Sequence, residues 1–372
     1  MNIGIIGCGN ISSAYLRLAP QFINLDIVAC ADINDSTAKA QADAFGIRAL
    51  SIESLLADNT IDLVINLTIP SAHLDVSTQI LQAGKHVYSE KPYVLSLEEG
   101  QTLEALATKM GKRIGSAPDT FLGGAHQTAR ALVDSDRVGQ IVGGTCHFMN
   151  HGMENWHPNP DFFYQPGAGP MLDMGAYYIS NLVQMIGPVK RVMAMSSKPL
   201  STRTIGNGER EGEQIPVDTA TSVHTLMEFH SGAQITVGLS WDVWHHEHNR
   251  MELYGTEATL HMPDPNFFGG DLRLTKGDVS ETVVPEHPFA VLNQESSSGE
   301  KTANYRGSGL ADMVDAIASN RPHRCDSALA LHVVDVMTSA LRSGETGEQV
   351  MLETSCERPA ALDADAAALL LR

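Results

Sequence analysis

Cysteine is scarce in this chain: five in 372 residues, at Cys8, Cys30, Cys146, Cys325 and Cys356. The number is odd, the positions are scattered and no CxxC pair occurs. Neither a disulfide framework nor a cysteine zinc site is indicated, and reduced, buried thiols are expected. Positive charge is short as well. Lys and Arg total 25 against 44 Asp and Glu, a formal net charge of −19. That balance argues against a nucleic-acid partner, which needs clustered cations along a phosphate backbone, and reads as solubility. No apolar run approaches membrane-spanning length, so no membrane association is expected. The N-terminus enters a strand pattern at once (Ile3, Ile5, Ile6), without the basic region and long apolar stretch of a signal peptide. A cytoplasmic protein is expected.

What is present is length and rhythm. The chain suits two domains, expected at 1–122 and 123–372. In the first third, apolar runs at Ile3–Ile6, Ile27–Ala31, Leu63–Leu67, His86–Ser89 and Arg113–Ser116 alternate with amphipathic segments. Two of these, Ser71–Ala83 and Ser96–Met110, end at Gly84 and Gly111, the residue type that accepts a left-handed cap. Strand–helix alternation predicts right-handed βαβ units on a parallel sheet covered on both faces. Beyond residue 123 the rhythm changes. A helix over Gly124–Asp134 and another over Met171–Ile186 accompany strand-like stretches at Ile141–Met149, Val189–Ser197, Thr221–Phe229, Gln234–Val243 and Met251–Tyr254. These predict a mostly antiparallel sheet with one open face, suited to a second subunit. Helices are expected again at Leu310–Ser319 and Ser327–Ser343, free to pack back on the first domain, and Pro199–Pro216 reads as a mobile loop.

Three motifs carry chemistry. Gly7-Cys8-Gly9-Asn10-Ile11-Ser12 follows the first strand and opens a helix. Gly7 permits the tight turn and Gly9 lets a pyrophosphate reach backbone N–H groups at the helix start; Ser12 stands where a third glycine serves close packing. Asp32 ends the second strand, where an acid binds ribose hydroxyls and repels a 2′-phosphate. With no arginine at Ile33 or Asn34, NAD is favoured over NADP. The first domain therefore reads as a Rossmann dinucleotide-binding unit, and the fold as α/β with a C-terminal α+β domain bearing a large open sheet. Glu90-Lys91-Pro92 lies at the C-terminal end of a parallel strand, the edge where such sheets bind ligands. Pro92 restricts Lys91 to extended backbone, and burial is expected to lower the lysine's pKa so that it can shuttle a proton. In Gly167-Ala168-Gly169-Pro170-Met171-Leu172-Asp173-Met174-Gly175-Ala176-Tyr177, Asp173 and Tyr177 share a helix face.

Together these features resemble the Gfo/Idh/MocA family, the glucose–fructose oxidoreductase and inositol dehydrogenase group. The likeness also draws on Thr68–Pro70 with His73, Tyr254-Gly255-Thr256-Glu257 and Arg321-Pro322-His323-Arg324. The resemblance implies that Gly7, Cys8, Gly9, Asn10 and Ile11 hold the pyrophosphate and Asp32 the adenosine ribose. It implies that Thr68, Pro70 and His73 line the nicotinamide half and that Glu90 bonds the nicotinamide ribose or amide. Lys91 is implied as the proton-handling residue, with a cis peptide to Pro92, and Asp173 as its acidic partner. Many members carry histidine where this chain has Tyr177, so Tyr177 either donates the proton or only positions the substrate. A homodimer or homotetramer and a carbohydrate substrate are implied as well.

Other constellations suggest less. Trp156, His157 and Gln165 lie in a loop before the third motif and could stack on or bond to a sugar. In Trp241–His248, alternation along a strand would let His246 and His248 converge but not His245, so no metal site is expected. A sugar or polyol dehydrogenase is the main reading. An NAD-dependent glycoside-cleaving enzyme, working by transient oxidation of a ring hydroxyl, and a non-catalytic NAD-binding sensor are the alternatives.

Overall fold

A computed structural model describes residues 1–157, 159–295 and 299–372. Six parallel strands form the first sheet: β1 (Asn2–Ile6), β2 (Asp26–Ala31), β3 (Arg48–Ala49), β4 (Leu63–Asn66), β5 (His86–Ser89) and β6 (Ile114–Ser116). Their order is β3-β2-β1-β4-β5-β6, with the reversal between β1 and β4 that opens a ligand crevice at the strands' C-terminal ends. Helices α1 (Asn10–Leu18), α2 (Asp35–Phe45), α3 (Ile52–Ala57), α4 (His73–Gln82) and α5 (Leu97–Met110) connect them. β4 is buried at every residue and β1 at every residue after Asn2, because helices cover both faces. α5 is capped at its start by Ser96 and at its end by left-handed Gly111; Gly84, also at positive φ, follows α4.

The second sheet has nine strands: β7 (Ile141–Met149), β8 (Val189–Ser197), β9 (Ser222–Phe229), β10 (Gln234–Ser240), β11 (Met251–Gly255), β12 (Thr259–Met262), β13 (Leu272–Lys276), β14 (Val279–Val283) and β15 (Val350–Met351). Their order is β14-β13-β12-β11-β7-β10-β9-β8-β15. Every neighbouring pair is antiparallel except β7 and β10. Alternation sets the faces: in β9, Val223, Thr225, Met227 and Phe229 point inward and His224 and Leu226 outward. Helices α7 (Pro170–Ile186) and α9 (Ser327–Thr346) cover the inner face, with α6 (Gly124–Asp134) beside α7. The outer face carries exposed Met193, Met195 and Leu226. α8 (Ser308–Ala318) and α9 also touch β6, so the end of the chain packs on the first sheet.

Two segments of the second domain differ from the sequence expectations. The segment expected to be a mobile loop contains a hairpin, Thr202–Thr204 against Gln214–Pro216. Its Arg203 is drawn inside by Glu154 at 2.9 Å and by Asp242, which fixes a charge-rich stretch that would otherwise be solvated. The strand expected to run to Val243 ends at Ser240, so the alternation argument does not govern the histidines that follow. His246 and His248 nonetheless face each other with ring centroids 5.9 Å apart.

Candidate active site

The crevice at the β1–β4 switch opens into a cleft of about 490 Å3. One end is the start of α1: Gly9, Asn10 and Ile11 line the cleft and no side chain caps this helix; the Ser12 N–H turns back to the Gly9 carbonyl at 3.1 Å, which leaves the N–H groups before it to donate into the cleft. A Cβ on Gly9 would meet nothing within 4 Å, whereas one on Gly7, at φ +100, would lie 2.6 Å from the Leu67 carbonyl. Gly7 thus fixes the turn against β4 and Gly9 leaves room in front of it. Asp32 holds the turn from the other side, its carboxylate accepting from the Cys8 N–H at 2.7 Å and from the Asn34 N–H at 2.9 Å. Cys8 itself turns inward, its thiol 3.5 Å from the Ala31 carbonyl. An open helix start behind a glycine turn fits a diphosphate, and these residues fit a dinucleotide.

The other end holds the charged groups. Lys91, on the segment after β5, donates from Nζ to Asp173 Oδ1 at 2.7 Å and to the Asp173 carbonyl at 2.9 Å. The Lys91–Pro92 peptide is cis. Asp173 is in the first turn of α7, which Gly169 at φ +89 and Pro170 launch toward the cleft. Tyr177, one turn on, lines the same cleft, with its ring centroid 5.2 Å from Lys91 Nζ. Burial was expected to lower the lysine's pKa. It does oppose the charge, but the Asp173 and Tyr177 neighbours and the Asp173 hydrogen bond outweigh it, and Lys91 is held above its ordinary value. Lys91 is therefore an ammonium at neutral pH, already hydrogen-bonded and aimed.

Glu90 is buried beside it. Its Oε1 accepts from Tyr15 at 3.0 Å and Arg306 at 3.3 Å, its Oε2 from the Lys91 N–H at 3.0 Å. Of the residues expected at the nicotinamide half, Thr68, Pro70 and Glu90 line the cleft. His73 does not. It is fully buried behind the wall, with Nδ1 2.7 Å from the Pro92 carbonyl and Nε2 3.0 Å from the Thr68 carbonyl. Trp156, His157 and Gln165 are also outside the cleft lining; Trp156 is 62% exposed, and His157 packs edge-on to Trp156, Phe162 and Phe163. The aromatic wall is instead Phe162 and Phe163, with rings 4.0 Å apart.

Arg306 escaped the sequence reading. It lines the cleft and reaches Glu90 across 216 residues of chain. The signal available was Asn304-Tyr305-Arg306-Gly307-Ser308-Gly309, a second glycine-spaced turn opening a helix.

Residues 1–117 match the oxidoreductase family with an NAD-binding Rossmann fold, and residues 126–261 match the GFO/IDH/MocA C-terminal domain. The chain is 26% identical over 363 residues to D-xylose 1-dehydrogenase (NADP(+)) 2 of Haloferax volcanii, covering 95% of this chain and 100% of that protein. It is 33% identical over 147 residues to inositol 2-dehydrogenase of Salmonella paratyphi B, covering 38% and 43%. A levoglucosan dehydrogenase solved with NADH and L-sorbose superposes with a TM-score of 0.80 at 21% identity, covering 95% and 99%.

Proposed function

Because the chain belongs to the GFO/IDH/MocA family of NAD-binding oxidoreductases, we propose that it is a dehydrogenase or reductase acting at a hydroxyl-bearing carbon of a sugar, polyol or sugar derivative. The observation that carries this reading is the Lys91–Asp173 pair, 2.7 Å apart, facing the same cleft as the open start of α1. Gly9, Asn10 and Ile11 would hold the diphosphate of a dinucleotide and Asp32 its adenosine ribose, and the cofactor so held would supply the hydride acceptor or donor. That carboxylate would repel a 2′-phosphate, which supports NAD over NADP. Thr68, Pro70 and Glu90 line the stretch between.

Lys91 handles the proton. Held charged at neutral pH, it donates to the alkoxide oxygen in reduction and stabilises negative charge there; in oxidation it takes the substrate proton once its own has left. Asp173 positions the ammonium, and Tyr177 orients the substrate hydroxyl against it. Phe162 and Phe163 offer apolar faces for the C–H side of a sugar ring. The open face of the second sheet supports a homodimer or homotetramer, and five unpaired thiols are at home in a reducing cytoplasm. Screening NADH formation over sugars, inositols and glycosides tests the reading. Steady NADH from at least one polyol is expected. Aglycone release with no net NADH would replace it with the glycoside-cleaving reaction.

A further inference from the structure

Arg306 has more hydrogen-bonding capacity than the protein uses. Its Nη1 donates to Glu90 Oε1 at a long 3.3 Å; among the described residues Nε and Nη2 have no acceptor, although the side chain is only 17% exposed. Glu90 meets it only through Nη1, while its two oxygens also accept from Tyr15 and from the Lys91 N–H. The other cation of the cleft is different: Lys91 is matched by Asp173 at 2.7 Å.

The support beneath Arg306 is rigid. Tyr305 stacks on Phe289 with centroids 4.7 Å apart. The N–H groups of Gly307 and Gly309 donate to the buried Asp119 carboxylate at 2.8 and 3.1 Å. Gly307, at φ +99, starts α8. The arginine is thereby fixed between that turn and the cleft, which Tyr177 also lines. The unused donor edge is not sealed in the protein but opens on the cleft, where a ligand can fill it, and the planar anion that matches two parallel N–H donors is a carboxylate.

We propose that Arg306 is a specificity-determining residue that receives a carboxylate of the substrate, so that the favoured substrates are acidic sugars such as uronates or aldonates. This rests on the dehydrogenase reading and narrows its substrate class. Hydride transfer would still take place at a hydroxyl carbon facing Lys91, while the carboxylate, elsewhere on the same molecule, anchors it on Arg306.

The test compares kcat/KM for glucuronate with glucose, galacturonate with galactose and gluconate with glucitol, using NAD and the full chain. The acid of at least one pair should lead its neutral counterpart by roughly 10- to 150-fold, the range of one charge-assisted contact. In Arg306→Met that ratio should collapse to within a few-fold of unity, with Arg306→Lys between, since lysine keeps the charge but not the fork. Should Arg306→Met fail to fold, the wild-type preference decides alone. Neutral sugars turned over as well as their acids overturn this proposal but leave the dehydrogenase standing; no NADH from any of the six overturns this proposal, and only silence across the wider panel of sugars, inositols and glycosides overturns both. If Arg306→Met weakens NADH binding in a fluorescence titration as much as it weakens use of the acid, the guanidinium serves the dinucleotide and the proposal falls.

Discussion

Replacing Asp173 with asparagine removes the anion from the Lys91 pair while keeping the shape of the side chain. Wild-type Lys91 Nζ has two acceptors, the Asp173 carboxylate at 2.7 Å and the Asp173 carbonyl at 2.9 Å, and the two side chains are 18% and 22% exposed. At an effective dielectric near 20, opposite charges about 4 Å apart interact by about 4 kcal/mol. Burial already pulls in the other direction. Without the carboxylate the ammonium loses its main support, so Lys91 gives up its proton at lower pH. Oxidation needs the deprotonated lysine, and its rising limb should therefore move down by roughly one to three pH units. Reduction needs the ammonium, and its falling limb should move down with it. The assay is initial rates of NADH formation and consumption across pH, wild type against Asp173→Asn. A uniform loss of rate with both limbs unmoved would refute the idea that Asp173 sets the charge of Lys91.

Other outcomes follow from the same structure. Gly7→Ala forces a side chain into positive φ and against the Leu67 carbonyl at 2.6 Å. It should cost about 1–3 kcal/mol of stability, read in urea melts, and weaken NADH binding. Asp32→Ser removes the acid that disfavours a 2′-phosphate, and the NAD-to-NADP ratio of kcat/KM should fall about tenfold or more; an unchanged ratio would remove Asp32 from cofactor choice. His126 and His332, fully buried, are pushed down to about 4 by burial, against about 6.5 in the unfolded chain. Between those values the unfolded state binds more protons, so stability is complete above about pH 6.5 and is lost as pH falls toward 4, on the order of 3 kcal/mol for each histidine. Urea midpoints at pH 7 and 4.5 check this. Glutamate at Met195 and Leu226, both exposed on the open sheet face, should lower the particle mass seen by light scattering.

Much of the site was legible because local chemistry dictates it. A glycine turn between a strand and a helix, an acid at the end of the next strand and a lysine before proline each state a role in a few adjacent residues. The helix that carries Asp173 and Tyr177 announced itself through its Gly-Pro start. What escaped depended on contacts between distant segments. The charge state of Lys91 is set by a carboxylate 82 positions away, which burial alone could not reveal. Arg306 belongs to the cleft only because Asp119 and Glu90 meet its turn. The hairpin around Arg203 was misjudged for a related reason: charge in a sequence reads as solvation until buried partners appear. Strands β12, β13 and β14 were missed: β12 and β13 are only four and five residues long, and β14, at the sheet edge, is mostly exposed, so its alternation fades.

The central claim is that a sugar carbon delivers hydride to a dinucleotide in front of Lys91. Sugars deuterated at carbon, incubated with NAD and the enzyme, test it by NMR of the reduced cofactor. The account predicts deuterium at the nicotinamide ring in the wild type, with Lys91→Met slower by about a hundredfold or more. Bound cofactor that acquires no label from any sugar, or labelling at an undiminished rate in Lys91→Met, would contradict it.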